Sequence, residues 1–394
     1  SEFEALYKVD LDLKGYQPKY FGHPRQIKLA AKAIGEAKKP VIIAGAGVIK
    51  SGAHELLREL AEKCEIPVAM TLLGLGSIPS LHDLSLEMLG MHGTVYSNYA
   101  VHNSDLVIGI GMRFDDRITG DTEQFCPNAK VIHIDIDPAE ISKNIHADIP
   151  IVGDVKNVLI ELLKEVSEKT NIDWLNQIKE WKNEYPLQYT KRDDEIRPQH
   201  AIETISNITK GEAVIITDVG QHQMWTAQYY KFNKAGNFCS SGGAGTMGYG
   251  VPGGMGAQVG RPNDIVVSIV GDGGFQMTSQ ELMTIMQYKL PVKTVILNNG
   301  FLGMVRQWQE IFHSKRYSSV DLSMNPNFVK LGEAYGMTSI RIEKPEELES
   351  KLKEHLLSNE PVLIEIVVTK EDNVFPMIPA GKSVNELMGK KGEL

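Results

Sequence analysis

The chain has 394 residues, more than one ordinary hydrophobic core encloses, so two domains are the first expectation. Hydrophobic side chains make up 42% and charged ones 23%, the balance of a soluble globular protein. A net charge of −9 argues against nucleic-acid binding as the main business, while leaving room for local basic sites on an anionic ligand.

Residues 1–22 read as a polar arm with Gly and Pro, resembling a linker; the opening Ser1-Glu2-Phe3-Glu4 fits a cloning scar or a natural start equally. No stretch has the pattern of a signal peptide or membrane span. The longest uncharged run, 235–260, is rich in Gly, Ser and Thr and is interrupted by Pro252. Cys64, Cys126 and Cys239 are far apart and match no zinc spacing, so they are expected as reduced thiols, which points to the cytoplasm.

From residue 23 the pattern alternates. A helical stretch over 26–37 leads into an apolar run at 41–44, closed by Gly45-Ala46-Gly47. A helix over 53–63 and a short strand around Val68 follow. Further apolar runs lie at 106–110, 131–136 and 149–152, the last entering a helix over 155–166. Strict alternation predicts a parallel sheet covered on both faces, here a domain over 23–168. Residues 169–197 are charged and read as a connector with one helix, whose Trp174, Leu175, Ile178 and Trp181 recur at helical spacing for core packing. The alternation resumes over 198–370, with strands at 213–217, 265–270, 292–297 and 362–368. Helices are expected near 224–230, 247–258, 280–288, 302–312, 327–335 and 345–357, and a tail over 371–394. The fold class is α/β, two doubly wound parallel-sheet domains.

The apolar run before Gly271 has the β-branched content of a buried parallel strand. Thr278 and Glu281 stand at capping-box spacing and predict a helix start. Leu282, Ile285 and Met286 give that helix an apolar face, and Pro291 ends it before the next strand. In such a β-α-β unit both strands end at the same edge, which brings Asp272 and Asn299 together and is where open α/β sheets bind ligands. Gly271, Gly273 and Gly274 let the backbone approach a phosphate with its amides free. An Asp oxygen, an Asn amide oxygen and a nearby carbonyl suit Mg²⁺, which completes its shell with water and phosphate oxygens. The alternative is a turn Asp and a turn Asn, both common after strands.

In the first half, Gly45-Ala46-Gly47 after a strand suggests a nucleotide, but Lys50 stands where the third glycine of G-x-G-x-x-G belongs. Arg113 and Arg117, just after the 106–110 run, could meet a pyrophosphate or pair with Asp115 and Asp116 as surface salt bridges. The residues alone leave both open.

Gly271-Asp272-Gly273 with Asn298-Asn299 resembles the thiamine-diphosphate motif of the pyruvate-oxidase-like enzymes. Together with GMVRQWQEIF (303–312), GQHQMW (220–225), GTMGYGVPGGMGAQ (245–258) and GMRFDDRITG (111–120), the chain resembles the acetohydroxyacid synthase (acetolactate synthase) catalytic large subunits from about His23 onward. The resemblance implies Mg²⁺ on Asp272, Asn299 and the Phe301 carbonyl. It implies thiamine diphosphate against Val219, Gly220, Gln221 and His222 at the diphosphate end, with Gly245 and Met247 at the aminopyrimidine. Gly271, Gly273, Gly274, Leu302, Gly303, Met304 and Val305 complete those surroundings. Read alone, Met247 is equally a core filler.

The same resemblance implies FAD on Gly45, Ala46, Gly47, Thr71, Leu72, Met91, His92, Gly111, Arg113, Asp115, Arg117, Ile118, Asp135, Ile136, Asp154 and Val155, without an obligatory redox role. His92 read alone is a structural histidine. Trp308 would shape the pocket for the second ketoacid, with Arg306 contributing; the alternative for Trp308 is a helix aromatic packed on its neighbours. The implied reaction condenses pyruvate with a second 2-ketoacid, pyruvate or 2-ketobutyrate, in branched-chain amino-acid synthesis. A homo-oligomer and a regulatory small subunit are implied, with no nucleic acid and no membrane.

Relatives in that family carry a further domain ahead of this part, which supplies a glutamate that bonds the cofactor's aminopyrimidine. Glu2 and Glu4 cannot stand in for it, so no catalytic residue is assigned and the chain alone is expected to be inactive. The rival readings are a thiamine-dependent pyruvate oxidase or carboligase, and a non-catalytic cofactor-binding fragment.

Overall fold

Runs of Val, Ile and Leu with both faces apolar form the centre of two parallel sheets. The computed structural model describes Leu13 and residues 15–391, so most of the expected arm, with Glu2 and Glu4, and the last residues of the tail lie outside the described residues. The first sheet contains β1 (Pro40–Ala44), β2 (Val68–Met70), β3 (Ser85–Met88), β4 (Leu106–Ile110), β5 (Lys130–Asp135) and β6 (Ile149–Val152). Their order is β3-β2-β1-β4-β5-β6, all parallel, so the order reverses between β1 and β4. That reversal opens a crevice at the strands' carboxyl ends.

The second sheet contains β7 (Val214–Thr217), β8 (Phe238–Ser240), β9 (Val266–Gly271), β10 (Lys293–Asn298), β11 (Thr338–Ile342) and β12 (Val362–Val367). Its order is β11-β12-β10-β9-β7-β8, again all parallel. Val267, Ile269, Val295, Ile296 and Ile364 are fully buried, as strands covered by helices on both faces require. β9 and β10 are adjacent, with Leu297 opposite Gly271, so Asp272 and Asn299 leave the sheet side by side.

Three expectations are corrected. A helix, Asp272–Met277, begins directly at the end of β9, ahead of the predicted start. The Thr278 hydroxyl donates to the Gly248 carbonyl at 2.9 Å, and the following helix, Glu281–Gln287, starts without a side-chain cap. A neighbouring loop has claimed the hydroxyl that the capping box needed. The helix expected from 224 begins at Gln221, and the one expected from 247 begins at Gly250, because the Asp218 side chain holds Gly248 in the preceding loop and accepts from the first helical N–H, Gly250 (below).

The helix Ile172–Glu184 of the expected connector packs on the first sheet's core. Trp174 and Ile178 are buried there, and Trp174 Nε1 donates to the Pro40 carbonyl at 3.1 Å. The tail runs back across both halves: Ile378 N donates to Met91 O at 2.8 Å, and Asp121 N to Lys382 O at 3.1 Å.

Candidate functional site

A cleft of about 500 Å³ opens where β7, β9 and β10 end. Asp272, only 1% exposed, accepts from Gly300 N at 3.0 Å and from Asn325 Nδ2 at 2.7 Å, both on Oδ2. Gly300 takes the left-handed conformation (φ 71°), which turns the chain so that its N–H faces both Asp272 and Asn298 Oδ1. Asn299 Oδ1 accepts from Phe301 N at 3.1 Å, and its amide nitrogen donates to Gln221 Oε1 at 3.3 Å.

This donor set suits a hard divalent cation. Burial pushes the Asp272 carboxyl up to about 6, against the pull of hydrogen bonds from Asn325 and the backbone. No described lysine or arginine pairs with it. A buried carboxylate surrounded by neutral donors gains strongly from a cation, and an amide oxygen and the Phe301 carbonyl lie on the adjoining turn.

The sequence-predicted Val219, Gly220, Gln221, His222, Met247, Gly271, Gly273, Gly274, Leu302, Gly303, Met304 and Val305 all line this cleft with Asp272, Asn299 and Phe301. Met247 is half-buried and faces it, instead of filling the core. Gly245 lies outside the lining, in an exposed loop at φ 65°.

Sequence reasoning missed Trp225, Leu297 and Val368 as lining residues, and missed Asp218 altogether. The Asp218 carboxylate is fully buried and accepts from the backbone N–H groups of Val219 at 2.7 Å, Gly248 at 2.9 Å and Gly250 at 3.0 Å. It thereby ties the 245–250 loop to the end of β7. The signal was an Asp directly after a predicted strand.

His222 sits over glycines: a Cβ on Gly220 or Gly271 would come within 3.1 or 3.0 Å of its ring. Burial drops its pKa to about 4, although the Asp218 charge and backbone carbonyl pull upward, so the imidazole is neutral. Its Nε2 is buried and has no partner among the described residues, which leaves it for a ligand in the cleft.

The sixteen residues expected around a flavin all follow strand ends of the first sheet. Gly45 to Gly47 follow β1, Thr71 and Leu72 follow β2, Met91 and His92 follow β3, and Gly111 to Ile118 follow β4. Asp135 ends β5 and Ile136 follows it, and Asp154 and Val155 follow β6. Their local roles differ. Gly45 and Gly47 close the crevice backbone on backbone: a Cβ on Gly45 would lie 2.2 Å from the Gly111 carbonyl oxygen. Gly45 N and Gly47 N already donate to Ile110 O and Gly111 O. Asp154 caps the helix Val155–Glu165. His92 is buried and neutral, its pKa lowered to about 4 by desolvation, and Gln228 donates to its carbonyl at 2.9 Å.

Arg113 pairs with Asp115 at 3.0 Å and Arg117 with Asp116 at 3.3 Å, the surface salt bridges weighed from sequence. Both guanidiniums are about 60% exposed, and such pairs are worth only about 0–1 kcal/mol, so an anion could recruit them cheaply.

Residues 27–162 match the central domain of thiamine pyrophosphate enzymes, and residues 218–366 their C-terminal TPP binding domain. The chain is 49% identical over 389 residues to a probable acetolactate synthase large subunit of Methanocaldococcus jannaschii, covering 96% of this chain and 65% of that protein. It is 45% identical over 399 residues to the acetolactate synthase large subunit of Buchnera aphidicola subsp. Schlechtendalia chinensis, covering 98% and 70%. Isozyme 3 of the Escherichia coli acetolactate synthase large subunit is 44% identical over 398 residues, covering 98% and 69%. The chain belongs to the acetolactate synthase large-subunit family. It spans about two thirds of the length of these relatives.

Within that family framework, the structure places Arg306 and Trp308 away from the cleft lining. Arg306 is fully buried on the helix Gly303–Phe312, pairs with Glu310, and donates to the carbonyls of Glu371 and Asp372 and to Asn373 Oδ1. These bonds anchor the tail to the helix. Trp308, half-buried, places its ring 5.0 Å from that of Phe312. Beside Arg306, Gln307 Oε1 accepts from Gln221 Nε2 at 2.9 Å and from Val374 N at 2.8 Å, so the tail is also tied to the cleft wall.

Arg306→Ala is expected to destabilise the fold by about 1–3 kcal/mol, because Asn373 Oδ1 and the Glu371 carbonyl lose this donor while Glu310 keeps Asn373 and Lys315. Chemical denaturation measures this; an unchanged midpoint would contradict the anchoring role.

Proposed function

We propose that this chain binds thiamine diphosphate through Mg²⁺ in the β9–β10 cleft and FAD at the carboxyl edge of the first sheet. As part of an acetolactate synthase, it would serve the condensation of pyruvate with a second 2-ketoacid, pyruvate or 2-ketobutyrate. The products would be 2-acetolactate or 2-aceto-2-hydroxybutyrate, with loss of CO₂. The observation that carries this reading is the buried Asp272 carboxylate, without a cationic partner among the described residues, beside Asn299 on a glycine-lined strand edge.

Thiamine diphosphate, when bound, supplies the carbon nucleophile and electron sink of such a reaction. Asp272, Asn299 and the Phe301 carbonyl would hold the cation. Gly271, Gly273 and Gly274 let a diphosphate come close, the neutral His222 offers an unpartnered nitrogen to the ligand, and Met247 fills space beside it. Gln221 and Asp218 hold the surrounding loops, so little reorganisation accompanies binding.

A homo-oligomer and a regulatory small subunit are proposed on the strength of the relatives' large-subunit names. No helix among the described residues is long and apolar enough to cross a membrane, and a cytoplasmic site is proposed with it.

Calorimetric titration with thiamine diphosphate, with and without Mg²⁺, tests the cleft; cation-independent binding would count against it. For the flavin, the double variant Arg113→Ala, Arg117→Ala is expected to retain less yellow cofactor on purification. Its melting temperature should shift little, since both lost pairs are exposed. Equal flavin content in the variant would remove these arginines from the site.

A further inference from the structure

Glu365 stands inside β12, opposite Ile296 of β10, and is 1% exposed. Its Oε1 accepts from Asn298 Nδ2 at 2.7 Å, Arg341 Nη1 lies 3.7 Å away, and Oε2 is buried with no hydrogen-bond partner among the described residues. A carboxylate in the middle of a buried parallel sheet is costly, and a hydrophobic residue would serve packing better.

What it touches suggests its purpose. Asn298 is an amide that either flip could accommodate by shape. Glu365 offers only acceptors, so the Asn298 NH₂ must face it and Oδ1 must face the other way. There Oδ1 accepts from Gly300 N at 3.1 Å and Asn325 Nδ2 at 3.3 Å. The same two donors reach Asp272 Oδ2, at 3.0 and 2.7 Å. The flipped amide would point N–H groups at both donors and break the turn that carries Asn299 and Phe301.

We propose that Glu365 is a positioning residue for the cation site, acting through Asn298 to orient the 298–301 turn and the Asn325 amide on Asp272. This rests on the cation reading of the cleft given above. Outer partners that orient ligands typically contribute about 10- to 100-fold in metal affinity. The competing account is that Glu365 only stabilises the sheet through Arg341.

The experiment measures Mn²⁺ affinity by electron paramagnetic resonance on the full 394-residue chain with saturating thiamine diphosphate. Glu365→Leu is expected to weaken Mn²⁺ about 10- to 100-fold. Glu365→Gln, which still offers an acceptor to Asn298, should stay within about threefold of the parent chain, and Arg341→Ala should match the parent. Asn298→Ala breaks the link from its other end and covers the case in which Glu365→Leu does not fold. It should reproduce the loss, and adding Glu365→Leu to it should add little. Parental affinity in both Glu365→Leu and Asn298→Ala overturns the proposal alone, as does a loss in Glu365→Gln equal to that in Glu365→Leu. Failure of the parent chain itself to bind Mn²⁺ overturns the cleft reading, and this proposal with it.

Discussion

Asp272→Ala is expected to abolish Mg²⁺-dependent binding of thiamine diphosphate while leaving the fold in place. The variant removes the only described carboxylate lining the cleft. An Asn amide and a carbonyl cannot by themselves offset the dehydration of Mg²⁺, so affinity should fall by at least about 100-fold. The fold survives because two effects oppose each other. Gly300 N and Asn325 Nδ2 lose an acceptor, at about 1–3 kcal/mol, but an unpaired buried charge also disappears.

The pH dependence of the unmutated chain gives the same experiment a second arm. With the folded carboxyl at about 6, above its ordinary 3.8, the cation-free protein favours the neutral acid. That contribution to stability is complete below the unfolded value and is lost as pH rises through about 6. Cation binding has the opposite sign, because it needs the ionised form, and should weaken about tenfold per pH unit below 6. Melting-temperature gains from Mg²⁺ with thiamine diphosphate should therefore grow between pH 5 and 7.5. Undiminished calorimetric binding by Asp272→Ala would sink the assignment.

Long β-branched runs announced the central strands because burial on both faces leaves no polar alternation to confuse. β3, β8 and β11 went unread: two are short, and β11 is a half-exposed edge strand whose Thr338, Ser339 and Arg341 break the apolar run. The helix Pro198–Thr209 was also missed, since its Ile and Thr residues have weak helix propensity and tertiary burial holds it.

In the cleft, spacing brought Asp272, Asn299 and Gly271, Gly273 and Gly274 to one edge, because a β-α-β unit converts distance along the chain into a shared edge. The family resemblance supplied most of the other lining residues. It could not tell which side of the helix Gly303–Phe312 faces the cleft. The resemblance offered Arg306 as a contributor to the ketoacid pocket, and only three-dimensional packing shows its bonds to Glu310 and the tail. Likewise Gly45-Ala46-Gly47 suggested a nucleotide from its place after a strand, and only the structure shows that the Gly45 and Gly47 amides bond the backbone at the end of β4. Asp218 was passed over for a related reason: besides Val219 its partners are backbone amides about thirty residues away, which no side-chain pattern records.

The 394-residue chain, saturated with thiamine diphosphate, Mg²⁺ and FAD, is expected to bind cofactor and yet make acetolactate at a rate far below a full-length relative. The proposed reaction needs a group that accepts a proton from the cofactor. The titratable side chains lining the described cleft are Asp272 and His222. Asp272 would be committed to the cation. His222, with its pKa near 4, is too weak a base for proton transfer around neutral pH, where efficiency peaks for groups titrating close to the working pH. A missing acid–base group costs typically about 10² to 10⁴ in rate. The loss should be larger here, since the cleft wall at Val305 is half exposed and would not exclude water from the reacting carbon. Affinity and turnover should therefore separate. The assay follows acetolactate formed from pyruvate, by the chain alone and with a separately made segment supplying the rest of a longer relative. Recovery of rate on adding that segment, with thiamine-diphosphate affinity little changed, is the expected result. Full activity from the chain alone would place the base among its own residues and overturn this account of His222 and Asp272.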